Sequence, residues 1–399
     1  MSEISDFGQI VFVVGAGFSL ALLGRAVTER LAIPAAGLFL LAAAAVSDLV
    51  PELADEVSFV TVERIGVVAL IVILFDGGLD IGWRRFRASA VPILSLGLLG
   101  TFATAGLVAA SAHYVLGLSW ITSGLLGAAI APTDPAVTFS VLGGREIRGR
   151  TGTILKGESG ANDPVGIALM IGMIELATSD DGSFWTVVEE FAIEMVAGAA
   201  VGIAGAAALV PVLRRLPLPS PALYPLRMLA AAGVVYGAAT LVHGSGFLAV
   251  FVAGILLGDR ALPHREEVDG VLSSLGSLAE IVMFVALGLT VDLTEVLDSD
   301  SWWHGLVLAA LLGFLIRPLV VVPLLLPVRL DRGERLFVAW SGLKGAVPIL
   351  LAALAVIGGV DDSAEIYDVV FVVVLFSVLV QGTLLPVVAR RLGVPLDQS

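Results

Sequence analysis

Two stretches of the chain place oxygen-bearing and ionisable side chains inside otherwise apolar sequence. One reads Ala131-Pro132-Thr133-Asp134-Pro135-Ala136, the other Gly157-Glu158-Ser159-Gly160-Ala161-Asn162-Asp163-Pro164. Thr133, Ser159 and Asn162 set neutral oxygens beside the carboxylates of Asp134 and Asp163, the oxygen-only donor chemistry that hard cations prefer. An acid that follows an asparagine and precedes a helix-breaking proline is hard to explain by packing, so the set reads as a candidate alkali-cation site centred on Asp163. Glu158 precedes Asp163 by five residues, about 140° around a regular helix, so the two carboxylates cannot face one ion. Glu158 needs a buried cation, and Arg317 and Lys344 are the two on offer. A charge at mid-membrane costs at least about 2.5 kcal/mol on insertion scales, so each one needs a partner, a water path or a role. Arg317 reads as half of a packing ion pair, and Lys344 as either a pairing cation or a group that tunes the site. Glu280, three residues after Ser277 and on the same helical face, bonds to its neighbours or lines a funnel. Asp76, in Phe75-Asp76-Gly77-Gly78, lines a vestibule or orients the ion. Glu189, Glu190 and Glu194 face water, and His243 is an ordinary interfacial histidine.

The elements that hold these residues follow from composition. Of 399 residues, 58% are apolar and 15% charged, against roughly 25% charged in soluble domains, which excludes an ordinary soluble enzyme. Breaking the apolar runs at polar clusters gives thirteen candidate helices, near 8–24, 31–47, 59–79, 90–112, 118–142, 153–177, 187–212, 226–242, 245–258, 271–290, 302–327, 335–357 and 366–388, each compared with the span length a bilayer demands. Glu3 and Asp6 precede the first run and no basic residue does, so that run is expected to stay as a helix rather than be cleaved as a signal. The absence of cysteine rules out disulfides, thiolate metal sites and thiol nucleophiles. Connectors alternate in charge: 19 of the 22 Lys and Arg fall on one face, and 18 acids with one cation, Arg64, on the other. The positive-inside rule puts the basic face in the cytoplasm of a multi-pass cell-membrane protein, and an odd number of spans then puts the N-terminus outside and the C-terminus inside.

Thirteen spans divide as six, one and six, and a single linking span inverts the second unit relative to the first, which predicts an inverted repeat. In that scheme the fifth span corresponds to the twelfth. Both carry a Gly/Pro-rich interruption with an ionisable residue in it, Asp134 in the first and Lys344 in Ser341-Gly342-Leu343-Lys344-Gly345-Ala346-Val347-Pro348. Matching interrupted helices are the best sequence pointer to a transport site. The sixth span begins near Thr153, which places Asp163 roughly 15 Å in, about the midplane.

At Ala131-Pro132-Thr133-Asp134-Pro135 and Glu158-Ser159-Gly160-Ala161-Asn162-Asp163-Pro164 the chain resembles the monovalent cation:proton antiporter-1 family, the NhaP-type sodium/proton and potassium/proton antiporters. Phe75-Asp76-Gly77-Gly78-Leu79, Leu315-Ile316-Arg317-Pro318 and Gly342-Leu343-Lys344-Gly345-Ala346-Val347-Pro348 extend the likeness over the whole chain. The resemblance implies an all-α polytopic fold of about thirteen helices, with a transport bundle of spans 4–6 and 11–13 beside an interface bundle that forms a homodimer. Its segments would be 1–87 (interface), 88–178 (transport), 179–292 (linking span and interface) and 293–399 (transport and a short cytoplasmic tail). It implies that Asp163 binds cation or proton, with Thr133, Asp134, Ser159 and Asn162 at supporting positions and Glu158 with Arg317 as a structural ion pair. The family commonly has glutamate where Asp76 stands and arginine where Lys344 stands. Potassium/proton relatives often append a cytosolic regulatory domain, so such control is expected to be absent here or supplied by another chain.

The expected activity is exchange by mutual exclusion: protonated Asp163 holds a cation poorly, and a bound cation displaces the proton. Alternating access then carries one or the other across, in a one-for-one, electroneutral cycle. No enzymatic activity, cofactor, ATP or nucleic-acid partner is expected, only the transported Na+ or K+ and H+ in a lipid bilayer. Two rivals stand beside it. One is a sodium-coupled solute symporter on a similar inverted-repeat scaffold. The other is an intramembrane aspartyl protease with two carboxylates sharing a proton.

Overall fold

A computed structural model describes residues 34–50, 57–142, 147, 149–179, 184–260 and 262–394. The first candidate span, 8–24, lies outside them. The described chain is built from helices: α1 Ala35–Leu49, α2 Phe59–Ala88, α3 Ala90–Leu116, α4 Trp120–Ile130, α5 Pro135–Val141, α6 Arg150–Thr178, α7 Phe184–Arg215, α8 Leu223–Leu241, α9 Gly246–Gly258, α10 Arg265–Gly288, α11 Leu293–Asp298, α12 Ser301–Leu325, α13 Arg332–Trp340, α14 Ala346–Ile357 and α15 Ser363–Arg391. Among the described residues six helices are long and apolar enough to cross a membrane, namely α2, α3, α10, α12, α15 and the Val187–Arg215 part of α7.

Local chemistry explains where several helices begin. The Ser58, Ser119 and Ser245 side chains accept from backbone amides three residues on, at Thr61, Thr122 and Leu248, relieving donors that a helix start leaves free. Asp331 and Glu334 close a capping box at α13. The third candidate span, expected to end at 79, continues to Ala88. Gly82 there adopts φ +67°, which kinks the helix and lets it run on as a charged, water-facing end carrying Arg85 and Arg87. Hydropathy cannot see such an end. Single π-helical turns interrupt α3 at Ser95–Gly100, α12 at Leu312–Ile316 and α15 at Ser377–Gly382.

Packing puts α6 at the centre. Every residue from Gly157 to Gly166 is buried, a helix surrounded by protein rather than lipid, and α6 touches α2, α3, α4, α7, α9 and α14. Such burial in protein lets the helix carry charges that a lipid-facing span could not. A long glycine seam joins α2 to α9. A Cβ at Gly78, Gly254 or Gly258 would lie 2.5–2.6 Å from the carbonyl oxygens of Phe251, Phe75 and Leu79 respectively, so backbone meets backbone, as small residues permit in membrane helices.

Candidate cation-binding site

The site begins where two interrupted helices cross. Between α4 and α5 the chain is non-helical at Pro132–Asp134, and between α13 and α14 at Gly342–Gly345. Each interruption satisfies the other's backbone. The Asp134 amide donates to the Leu343 carbonyl at 2.8 Å, and Thr138 Oγ1 donates to the Ser341 carbonyl at 3.1 Å. Lys344 Nζ donates to the carbonyls of Ala131 and Pro132 at 2.8 and 2.7 Å, placing a cation on the negative C-terminal end of α4. Asp134 Oδ1 accepts from the Ala136 amide at 2.8 Å and so places an anion on the positive N-terminal end of α5. Gly345 makes this approach possible, since a Cβ there would sit 1.8 Å from Asp134 Oδ2.

Asp163 stands on α6 beside the crossing. It is 4% exposed, lies at the inner end of a cavity of about 610 Å³, and its Oδ1 is buried without a hydrogen-bond partner. Ser159, one turn earlier on the same face, lines that cavity too, as do Asp134, Asp76 and Glu280. Thr133, Asn162 and Lys344 stand behind its wall. The Asn162 amide donates to Thr133 Oγ1 at 2.8 Å and its oxygen accepts from the Thr133 amide at 3.4 Å, so Asn162 ties α6 to the extended residues and its donor and acceptor are both engaged there. On the opposite side of α6, Glu158 Oε1 lies 2.6 Å from Arg317 NH1, with side chains 1% and 6% exposed. Gly342 abuts that guanidinium, a Cβ there falling 2.1 Å from Arg317 Nε. The carboxylate buried with a fixed cation and the one facing the cavity are therefore on separate faces of one helix. His243 and the glutamates at 189 and 190 are exposed, with Glu194 half-buried, away from this centre.

A sequence profile described as sodium/hydrogen exchanger, transmembrane, matches residues 18–391. The chain belongs to that family. Among similar proteins, the K(+)/H(+) antiporter NhaP of Alkalimonas amylolytica is 38% identical over 339 residues, 84% of this chain and 58% of that protein. The K(+)/H(+) antiporter NhaP2 of Shewanella sp. strain ANA-3 is 32% identical over 96% of this chain and 67% of that protein. The chain thus spans about three fifths to two thirds of the length of these relatives. In fold it resembles the sodium proton antiporter MjNhaP1 from Methanocaldococcus jannaschii, with a TM-score of 0.81 and 22% identity over 94% of this chain and 99% of that one.

In this member of the family, two residues near the site escape a reading by hydropathy. Lys156 counts there as a connector cation and Asp80 falls past the expected end of its span, yet both are on helices, α6 and α2, and both line the cavity. Lys156 Nζ lies 2.5 Å from Asp80 Oδ2. Helical spacing alone carried the signal: Lys156 is two turns before Asp163 and Asp80 one turn after Asp76.

Proposed function

We propose that the chain exchanges a monovalent alkali cation, potassium or sodium, for a proton across a membrane, with Asp163 carrying one or the other. One observation carries this reading: a carboxylate buried at the inner end of a cavity, with an oxygen that no protein donor satisfies. The side chains around it offer oxygens, those of Ser159 and Asp134, while the fixed cations Arg317 and Lys344 are engaged elsewhere. Such a group binds a proton or a cation in turn, and the surrounding chain holds its geometry. Names of the relatives support both ions, potassium/proton for the two more similar proteins and sodium/proton for the fold neighbour. None of these is a solute symporter, and that rival reading is set aside.

The larger scheme belongs to the same proposal: thirteen spans, six-helix inverted repeats, interruptions of spans five and twelve as the transport hinge, a homodimer through the interface bundle, and a cytoplasmic C-terminus. Support comes from the paired interruptions and from π turns in both α3 and α12, the fourth spans of the two units. On this topology the cavity, whose lining includes Arg85, Lys156 and Arg265, opens to the cytoplasm. The test is dissipation of an imposed pH gradient in proteoliposomes challenged separately with potassium, sodium, lithium and a nonmetabolised solute. Exchange with an alkali cation and none with solute is expected. Proton movement that requires the solute overturns the reading.

A further inference from the structure

Of the 22 basic residues only two are lysines, Lys156 and Lys344, and both stand near Asp163's path or its supports. Lys156 lies on the Asp163 face of α6, two turns nearer the cavity mouth. Its Nζ is 2.5 Å from Asp80 Oδ2 on α2 and 4.8 Å from the centre of the Phe139 ring on α5. Asp80 follows Asp76 by one turn, and both line the cavity. Carboxylates so spaced stand about 5–6 Å apart at Cβ, and paired carboxylates are what divalent cations take.

The other charged groups nearby are already engaged or turned elsewhere. Arg265 binds Asp269 at 2.7 Å. Asp259 pairs with Arg84 at 3.6 Å. Arg85 reaches Asp80 Oδ1 only at 3.7 Å, its guanidinium donating instead to the carbonyls of Ile81 and Asp80. Glu280 lies deeper in the cavity wall. Among the described residues Lys156 is the one ammonium in the lining.

We propose that Lys156 is a tethered monovalent cation that bars divalent ions from the path to Asp163 by occupying Asp80 and so dividing the Asp76/Asp80 pair. An acidic cavity attracts a doubly charged ion with twice the energy of a singly charged one. Without the ammonium, a divalent ion would settle at the pair and block the way. A potassium or sodium ion has only to pass a side chain of its own charge, whose Asp80 contact is partly exposed. The inference rests on Asp163 being the transport carboxylate.

Mn2+ binding to the purified full chain, followed by electron paramagnetic resonance at constant ionic strength, tests it without transport. Lys156→Gln should bind Mn2+ about tenfold or more tighter than wild type. Adding Asp80→Asn to that variant should abolish the gain, and Lys156→Arg should match wild type. Should Lys156→Gln not fold, acetylating the folded wild-type protein removes the same charge. Lys344 is 1% exposed, so Lys156 is the lysine that reacts, and Lys156→Arg carried through the same treatment corrects for acetylation of the N-terminal amine. In proteoliposomes, Mg2+ on the cavity side should inhibit alkali cation/proton exchange by Lys156→Gln and spare wild type. Unchanged Mn2+ affinity in the variant or the acetylated protein overturns the inference. Loss of all exchange in wild type would instead overturn the transport reading.

Discussion

Two carboxylates five residues apart on one helix are assigned opposite duties by what surrounds them. Asp163 faces the cavity with an unpartnered oxygen, so Asp163→Asn removes a buried charge without stranding a buried cation. Exchange should cease, while the melting temperature of the purified variant should equal or exceed that of wild type; retained exchange would remove Asp163 from the site. Glu158→Gln should do the reverse. It leaves Arg317 buried without its anion, and breaking a buried pair costs about 3–5 kcal/mol, which a lowered melting temperature and poorer yield would report. At this scale the sequence was most legible where residue type conflicted with surroundings, as with Asp163 between Asn162 and Pro164. It was least legible for Lys344, whose partners are backbone carbonyls 213 and 212 residues away. No property of the lysine or its neighbours in sequence points to Ala131 and Pro132. Asn162 shows the same limit: nothing in its type points to Thr133, to which its amide donates.

Among the elements, the crossing is the feature on which most depends. Two helix ends of opposite polarity, each facing a side chain of the opposite sign, need backbones that touch, and Gly345 supplies the contact. Gly345→Ala would drive a methyl into the Asp134 carboxylate and displace it from the start of α5. Loss of such a cap costs about 1 kcal/mol, so the protein should still fold, with a modest fall in melting temperature. Exchange should fall about tenfold or more, a misplacement near the chemistry being felt far more in rate than in stability. Equal initial rates for Gly345→Ala and wild type would show that the crossing is scaffold only. Proline and glycine at 132, 135, 342 and 345 made the interruptions legible in sequence. That they meet was not, because hydropathy reports depth and not lateral position. For the same reason the charged yet helical end of α2 past residue 79 does not show in hydropathy, nor does the meeting of its Asp80 with Lys156.

For the whole molecule, the proposed role of Asp163 sets the charge balance of the cycle. Position 162 is asparagine and its amide is engaged, so α6 offers one titratable group facing the cavity at this depth. On the proposed mechanism one positive charge crosses each way, as cation and as proton, and no net charge should move. A membrane potential is worth about 2.3 kcal/mol per charge per 100 mV. The pH gradient at which flux reverses should therefore be the same with the potential clamped at zero and at about 100 mV. A reversal point that moves with voltage would mean that a second proton travels, with Asp134, Asp76 or Glu280 as its carrier. Membrane class and family were legible because composition and motifs act over the full length. The number of spans was less so, since among the described residues only six helices are by themselves long and apolar enough to cross a membrane.

The glycine seam between α2 and α9 has a mechanical consequence. With carbonyls of each helix seated against the other's glycines, neither can slide lengthwise without a collision at every turn, much as a key is held by the wards of a lock. The two helices form one stiff post, and Asp76 and Asp80 are mounted on it. Motion during the proposed cycle is then expected elsewhere, at the π turns of α3, α12 and α15. Amides from Phe75 to Leu79 and from Phe251 to Leu257 should exchange with deuterium equally slowly in potassium, in sodium and in a cation-free buffer. Faster exchange on adding either cation would show that the post itself bends.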